Sequence, residues 1–282
     1  MNIAGCVLVY AGLLATGLGL VSLLKPLRFL RIPTRKTALA VSAAGLLPIV
    51  LGMSLPAPVN LVTRAESHLD AWVPEWQFEE FHSLRMRATS GQIYRAIRQV
   101  TADEIFLFRT LTWIRNPMRR GEGENILAPS RRPILDVALA GGFHLLADDP
   151  PREIVIGTLV VRDGLSRPTD ESSLRALLRR PGNAFAVMNF RIHDEGNGWC
   201  VVTTETRTYT TDNSARRRFA RYWRVIYPGS SLLRYAWLRA IRRRAEGAPA
   251  ESHRPWIRLP MPNASRPLPS SVRPRPIEGM AR

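Results

Sequence analysis

Cysteine is nearly missing from this chain: Cys6 and Cys200 are the only two in 282 residues, and they fall in different parts of the sequence. That excludes a disulfide framework and a cysteine-based metal site of ordinary ligand spacing. The five histidines, at positions 68, 82, 144, 193 and 253, show neither HxH nor HExxH spacing, so no histidine metal site is written there either. GxSxG elbows, glycine-rich phosphate loops and CxxC pairs are absent as well. No cofactor and no metal are expected.

Lysine is the second scarcity. Of 40 basic residues only Lys25 and Lys36 are lysines, while the formal net charge reaches +17. A charge of that size suits polyanions. So strong a skew towards arginine, however, reads as a general compositional habit, and nucleic acid is not an expected partner.

Long uncharged runs are what the chain has instead. Residues 3–24 and 37–63 carry no charge, and a bilayer core needs about 20 apolar residues in a helix. Gly45, Pro48 and Gly52 would weaken a soluble helix but are tolerated in a membrane one. The intervening residues 25–36 hold Lys25, Arg28, Arg31, Arg35 and Lys36 and no acid. Short basic loops stay on the cytoplasmic side. The expectation is a two-helix transmembrane hairpin over residues 1–64, with the large C-terminal part on the extracytoplasmic side. Residues 65–77 are expected to form a juxtamembrane linker, with Trp72 and Trp76 at the membrane interface.

Residues 78–246 read as one α+β domain. "FHSLRMRA" alternates Leu84, Met86 and Ala88 with Arg85 and Arg87, as a half-buried strand does. Ser90 is placed to cap a helix whose Ile93, Ile97 and Val100 share a face. Thr101 and Glu104 form a capping-box pair opening a second helix through Ile105, Phe108 and Leu111. After a Gly/Pro/Arg-rich loop at 116–133 come strands at 143–147 and 153–161, a helix at 172–179, and a hairpin of 183–193 with 199–210 around "DEGNG". Residues 134–139 fit helix or strand. The tail 247–282 holds eight prolines and six arginines and is expected to be disordered.

The hairpin defines an interior. One face of its second strand carries Cys200, Val202, Thr204, Thr206 and Thr208; the other carries Glu205 and Arg207, whose burial is costly unless they pair well. The first face is therefore taken as inner, with Ala186, Met188, Phe190 and Ile192 opposite, and Asn189, Arg191 and His193 outside. This apolar, threonine-bearing interior fits a filled core or a cavity. Asp212 caps a last helix, in which Phe219, Tyr222, Trp223 and Ile226 form an apolar stripe continued by Leu233, Trp237, Ala240 and Ile241. Pro228 and Gly229 are expected to kink or interrupt it, and its arginines to lie in water.

The element order resembles the helix-grip fold of the START-like, or SRPBCC, superfamily, and "RMRATSGQIYRAI" (85–97), "PILDVALAGGFHLLADDPPREIVIG" (133–157) and "TETRTYTTDNSARRRFARYWRVIYPGS" (204–230) resemble an uncharacterised bacterial branch of it. The resemblance implies an antiparallel sheet of six or more strands wrapped on a long C-terminal helix, over a cavity for lipids, polyketides or other hydrophobic molecules. The cavity-lining candidates are Met188, Phe190, Thr204, Thr206 and Thr208 from the sheet, and Tyr222, Trp223, Ile226 and Trp237 from the helix. The expected partners are a hydrophobic small molecule or lipid and the bilayer. The alternatives are an enzyme of polyketide cyclase or hydrolase type, for which Glu205 and Tyr209 form the best acid/base pair, and an interaction module with a filled core. Asp136, His144, Asp148 and Asp149 read as local structural residues.

Overall fold

The computed structural model describes residues 3–115, 132–161 and 171–247. The arginine-rich loop at 116–131 and the tail beyond Gly247 lie outside the described residues.

Two helices, α1 (Ile3–Leu24) and α2 (Arg35–Ser54), pair as an antiparallel hairpin, and both are long and apolar enough to cross a bilayer. Their seam is made by small residues. A Cβ on Gly12 would come within 2.6 Å of the carbonyl oxygen of Gly45, and one on Gly45 within 2.7 Å of the Thr16 nitrogen. Backbone approaches backbone there, which is how helices associate where no hydrophobic effect drives them together. The hydroxyls of Ser22 and Ser42 bond back to Leu18 O and Ala38 O, so neither is left open. The opposite faces expose Val7, Leu14, Leu47 and Val50 by more than half, an aliphatic surface that water does not favour. Helix α2 ends at Ser54 and not near residue 63, because Pro56 and Pro58 cannot continue it.

The domain's centre is a five-stranded antiparallel sheet: β1 (Phe78–Met86), β2 (His144–Asp149), β3 (Glu153–Val161), β4 (Ala184–Gly196) and β5 (Trp199–Thr210), in the order β1-β5-β4-β3-β2. These are the five strands the sequence predicts, and among the described residues the sheet gains no sixth. Asn197 and Gly198 join β4 to β5 with φ of +53° and +76°, the left-handed pair a two-residue hairpin requires. That turn sets the register Met188↔Thr206 and Phe190↔Thr204, so the inner faces coincide as the alternation predicts.

Short helices surround the sheet: α3 (His68–Trp72), α4 (Ser90–Gln99), α5 (Phe108–Arg115), α6 (Ile134–Ala140) and α7 (Glu171–Leu178). Thr89, not Ser90, caps α4, through a reciprocal box with Gln92. The Thr101–Glu104 box forms too, but it opens only a 3-10 turn, and Leu107 at φ +57° redirects the chain before α5 begins.

The last helix, α8 (Asn213–Glu246), runs unbroken for 34 residues across the inner face, capped by Asp212. Pro228 lies inside it, so of the kink or interruption expected there, the interruption does not occur. The helix is held on both sides of the proline: Ser230 Oγ donates to Glu80 Oε2 at 2.7 Å, and the Val225 carbonyl accepts from Tyr10 of α1. Met86, Ile154, Phe190, Val202, Leu238 and Ile241 form the main core between sheet and helices, and Phe78, Phe219 and Trp223 a smaller one.

The other face of the sheet is also covered, so Asn189 and Arg207, which lie on it as the alternation predicts, are not left to water. Asn189 and Arg207 are both buried; His193 is exposed. The stretch expected as a linker folds onto this face, with Leu69 and Val73 packed on Val155 and Val187. Arg207 donates to Asp70 at 2.6 Å and to Glu205, and its guanidinium stacks 3.9 Å from the Trp76 ring. Glu153 accepts from Asn189 at 2.7 Å and from the His68 backbone at 2.8 Å. Trp76 and Trp72 are thus held by the domain: Trp76 Nε1 donates to Glu79, and Trp72 Nε1 to the Leu146 carbonyl.

Candidate functional site

Beneath the middle of α8 lies a cavity of about 1020 Å³, at the upper end of the range for small-molecule sites. The helix contributes Tyr222, Ile226, Gly229, Leu233 and Trp237, one stripe at steps of three and four residues. The sheet contributes Ile156 and Met188, α5 and α6 contribute Phe108, Leu111, Ile134 and Val137, and the hairpin contributes Tyr10 and Met53. Gly229 has no side chain to fill the space: a Cβ there would meet only Leu111, at 3.7 Å.

Four of the nine residues predicted to line a cavity do so: Met188, Tyr222, Ile226 and Trp237. The other five lie elsewhere on the same face. Phe190 is in the core, edge-on to Trp237 at 5.1 Å between ring centroids, and Trp223 stacks on Phe219 at 5.6 Å. Thr204 donates to the Asn189 carbonyl, while the hydroxyls of Thr206 and Thr208 are buried without a partner among the described residues.

Most polar side chains of the wall come from α8, with Tyr10 of α1 beside them. The guanidinium of Arg234 sits 5.6 Å from the Trp237 ring and donates to Met188 Sδ at 2.7 Å. The indole N–H of Trp237 is buried with no partner among the described residues. Ser230 is backed by a buried relay: its hydroxyl donates to Glu80 Oε2, and Glu80 Oε1 lies 3.0 Å from His82 Nε2. Tyr227 stands beside this relay, and burial first, then the Glu80 charge, raises its phenol above the usual range. Glu80 and His82 went unrecognised in the sequence, although the alternation that buries Leu84 and Met86 places both on the inner face.

The acid/base pair considered from sequence is not at the cavity. Glu205 lies on the outer face, where burial raises its carboxyl against the pull of Arg207; Tyr209 packs beside the outer-face cluster, its phenol also raised by burial. Asp148 accepts from Tyr94 and from Arg98, and Asp149 from Arg152, so both are structural. His144 Nε2 is buried without a partner among the described residues, away from the wall.

Arg224 joins the domain to the hairpin. It is buried, unlike the solvated arginines expected on this helix, and donates to the carbonyls of Met53, at 2.8 Å, and Leu55, closing the end of α2.

An antiparallel sheet gripping a long C-terminal helix, with a cavity between them, defines an α+β protein of helix-grip architecture preceded by two apolar helices. No family model matches the chain, and no curated protein does. Solved structures similar to it include a hypothetical protein from Helicobacter pylori, at 10% identity and TM-score 0.32, covering 66% of this chain and 99% of that one. Norcoclaurine synthase from Thalictrum flavum, in complex with dopamine and hydroxybenzaldehyde, is 9% identical over 68% of this chain and 99% of its own, at TM-score 0.26. The di-domain ARO/CYC BexL of the BE-7585A biosynthetic pathway is 12% identical over 76% of this chain and 60% of its own, at TM-score 0.25. Likenesses of this strength assign no activity.

Proposed function

We propose that this protein is a membrane-anchored, START-like domain that binds a lipid or another hydrophobic small molecule without transforming it. The observation that carries the reading is the apolar cavity beneath α8, with a wall shared by the domain and both hairpin helices. The exposed aliphatic faces of α1 and α2 support insertion in a bilayer, and the basic residues 25–36 support a domain on the extracytoplasmic side. The test is the mass of the full chain, purified gently from bacterial membranes, before and after denaturation. A discrete apolar molecule released on unfolding is the expected result; a bare chain that takes up no apolar probe refutes the reading.

A second reading rests on Ser230. Its hydroxyl is at the cavity wall with its proton directed at Glu80, the arrangement in which a carboxylate base assists a serine nucleophile. Turnover of an ester by the wild-type chain that Ser230→Ala abolishes, with ligand uptake retained, would establish it.

A further inference from the structure

The side of α8 turned away from the sheet carries a pattern of its own. Its exposed residues recur every three or four positions. Through the middle of the helix they are Val225, Pro228, Leu232 and Tyr235, and the three large ones are exposed by 50%, 44% and 39%. Arg217 and Arg221 extend the stripe at one end and Arg239 and Arg243 at the other, all exposed. An isolated apolar side chain in water is ordinary. Four successive members of one stripe, spanning roughly 15 Å at 1.5 Å per residue and bounded by arginines, form the face of a helix that lies along a bilayer. The apolar centre then sits in the acyl boundary and the guanidinium groups at the phosphates. Tyr235 suits that level, and the Arg239 guanidinium stands 4.9 Å from its ring.

The hairpin stands on the same side of the helix. Arg224, next to Val225, donates to the carbonyls of Met53 and Leu55 at the end of α2, and a Cβ on Gly5 of α1 would come within 2.8 Å of its Nε. Tyr10 of α1 donates to the Val225 carbonyl. Phe78 and Phe190 of the sheet are met instead by Trp223 and Trp237, on the other half of α8. The helix is therefore fixed against the hairpin end that carries Ile3 and Ser54, and the far end of α1, at Leu24, lies roughly 30 Å away at 1.5 Å per residue. A hairpin that crosses the bilayer brings α8 to one of its surfaces, with the stripe towards the lipid.

We propose that the outer face of α8, from Arg217 to Arg243, rests on the surface of the bilayer that holds the hairpin. The inference rests on the hairpin being inserted in that bilayer, and it adds a second contact, which sets the tilt of the domain. The part of the cavity wall made by Tyr10, Met53 and Val225 then lies at the level of the lipid headgroups, and the outer face of the sheet is turned to water.

Spin labels on introduced cysteines test this in the full chain, reconstituted into vesicles of phosphatidylethanolamine and phosphatidylglycerol. The positions are Leu232→Cys on the stripe, Leu14→Cys on the exposed face of α1, and Ser83→Cys, exposed on the outer face of β1. Cys6 and Cys200 are buried, and wild type carried through the same labelling supplies the blank. Collisions of each label with oxygen, which concentrates in lipid, are compared with collisions with a water-soluble nickel chelate. The labels at Leu14 and Leu232 are expected to favour oxygen and the label at Ser83 the chelate, with Leu232 at about 5–10 Å below the surface. A Leu232 label as open to the chelate as the Ser83 label, with Leu14 still in lipid, overturns the docking of α8 and leaves the hairpin anchored. A Leu232 label that reaches neither reagent also overturns it, because protein, such as a second copy of the chain, then covers the face. A Leu14 label open to the chelate removes the membrane reading of the hairpin itself, and the docking with it.

Discussion

Arg207 and Asp70, 137 positions apart in the chain, meet at 2.6 Å on the outer face of the sheet. The pair is buried, and a buried ion pair holds only when its remaining hydrogen-bonding capacity is met. Here it is: Asp70 Oδ2 accepts from the backbone of Glu66 and Ser67 and from the Ser67 hydroxyl, at 2.8–2.9 Å, and the guanidinium also reaches Glu205 and covers Trp76. The contact fastens the segment following the hairpin to β5.

Removing one partner should therefore cost more than a surface charge does. Arg207→Ala is expected to destabilise the domain by about 3–5 kcal/mol, because it leaves Asp70 and Glu205 buried and uncompensated. Pairing the change with Asp70→Leu should recover part of the loss. Thermal unfolding of the full chain in one mild detergent measures both. A melting temperature unmoved by Arg207→Ala would show that water reaches the site.

Acid should act through the same kind of group. Burial works against ionisation of Asp70, Glu104 and Asp212, but hydrogen bonds from Ser67 and Arg207, from Arg244 and Thr101, and from the N–H groups of Gly182, Ser214 and Ala215 outweigh it, and all three carboxyls sit below their ordinary range. A lowered folded-state pKa means that the folded chain binds fewer protons than the unfolded one. The stabilisation is complete above the ordinary carboxylate range and is lost as pH falls through the folded values. Glu205, raised by burial, works with the opposite sign and favours the folded state at lower pH. The net expectation is a melting temperature that declines below about pH 4, less steeply in Glu104→Gln, which begins lower at neutral pH. An unchanged slope in Glu104→Gln would remove Glu104 from the account.

The elements that could be read from the sequence are those whose pattern is local. Strand β5 over 199–210 and strand β3 over 153–161 are bounded in the sequence as they are in the structure, because alternation and flanking turn residues are properties of a few neighbours. Asp212 as a cap and a hairpin turn within "DEGNG" are legible for the same reason. What failed was anything decided by a distant partner. Glu205 and Arg207 looked like a solvated face because Asp70 and Trp76, which bury them, are more than a hundred residues away in the chain. Pro228 looked like a break because nothing in its vicinity announced Glu80 or Tyr10. At the cavity, period two found Met188 but could not say where the sheet stops touching α8. Phe190 and the threonines are on the correct face and still not on the wall.

The hairpin seam makes its own prediction. Gly45 faces the backbone of Thr16 and Gly12, and no side chain fits between them. Gly45→Leu is expected to separate α1 from α2, and with them the wall that Tyr10 and Met53 lend the cavity. Even Gly45→Ala, whose Cβ would meet the Thr16 nitrogen at 2.7 Å, should lower the melting temperature, and Leu47→Ala on the exposed face should not. Equal effects of the two changes would refute the seam.

Gly229 separates the stability of α8 from the capacity of the cavity. It sits within the helix at an ordinary negative φ, and a Cβ there meets only Leu111 at 3.7 Å. Alanine should therefore be accommodated, and it should stabilise the chain by about 0.4–1 kcal/mol, since glycine loses the most backbone freedom on folding. Phenylalanine at the same position has its Cβ equally free, but its ring enters the cavity beside Leu111, where a ligand chain would lie. The expected result is a melting temperature near wild type for Gly229→Phe together with loss of the co-purifying apolar mass, while Gly229→Ala keeps that mass. If Gly229→Phe retained the mass at wild-type occupancy, the molecule would be bound somewhere other than beneath α8, most simply along the exposed faces of the hairpin.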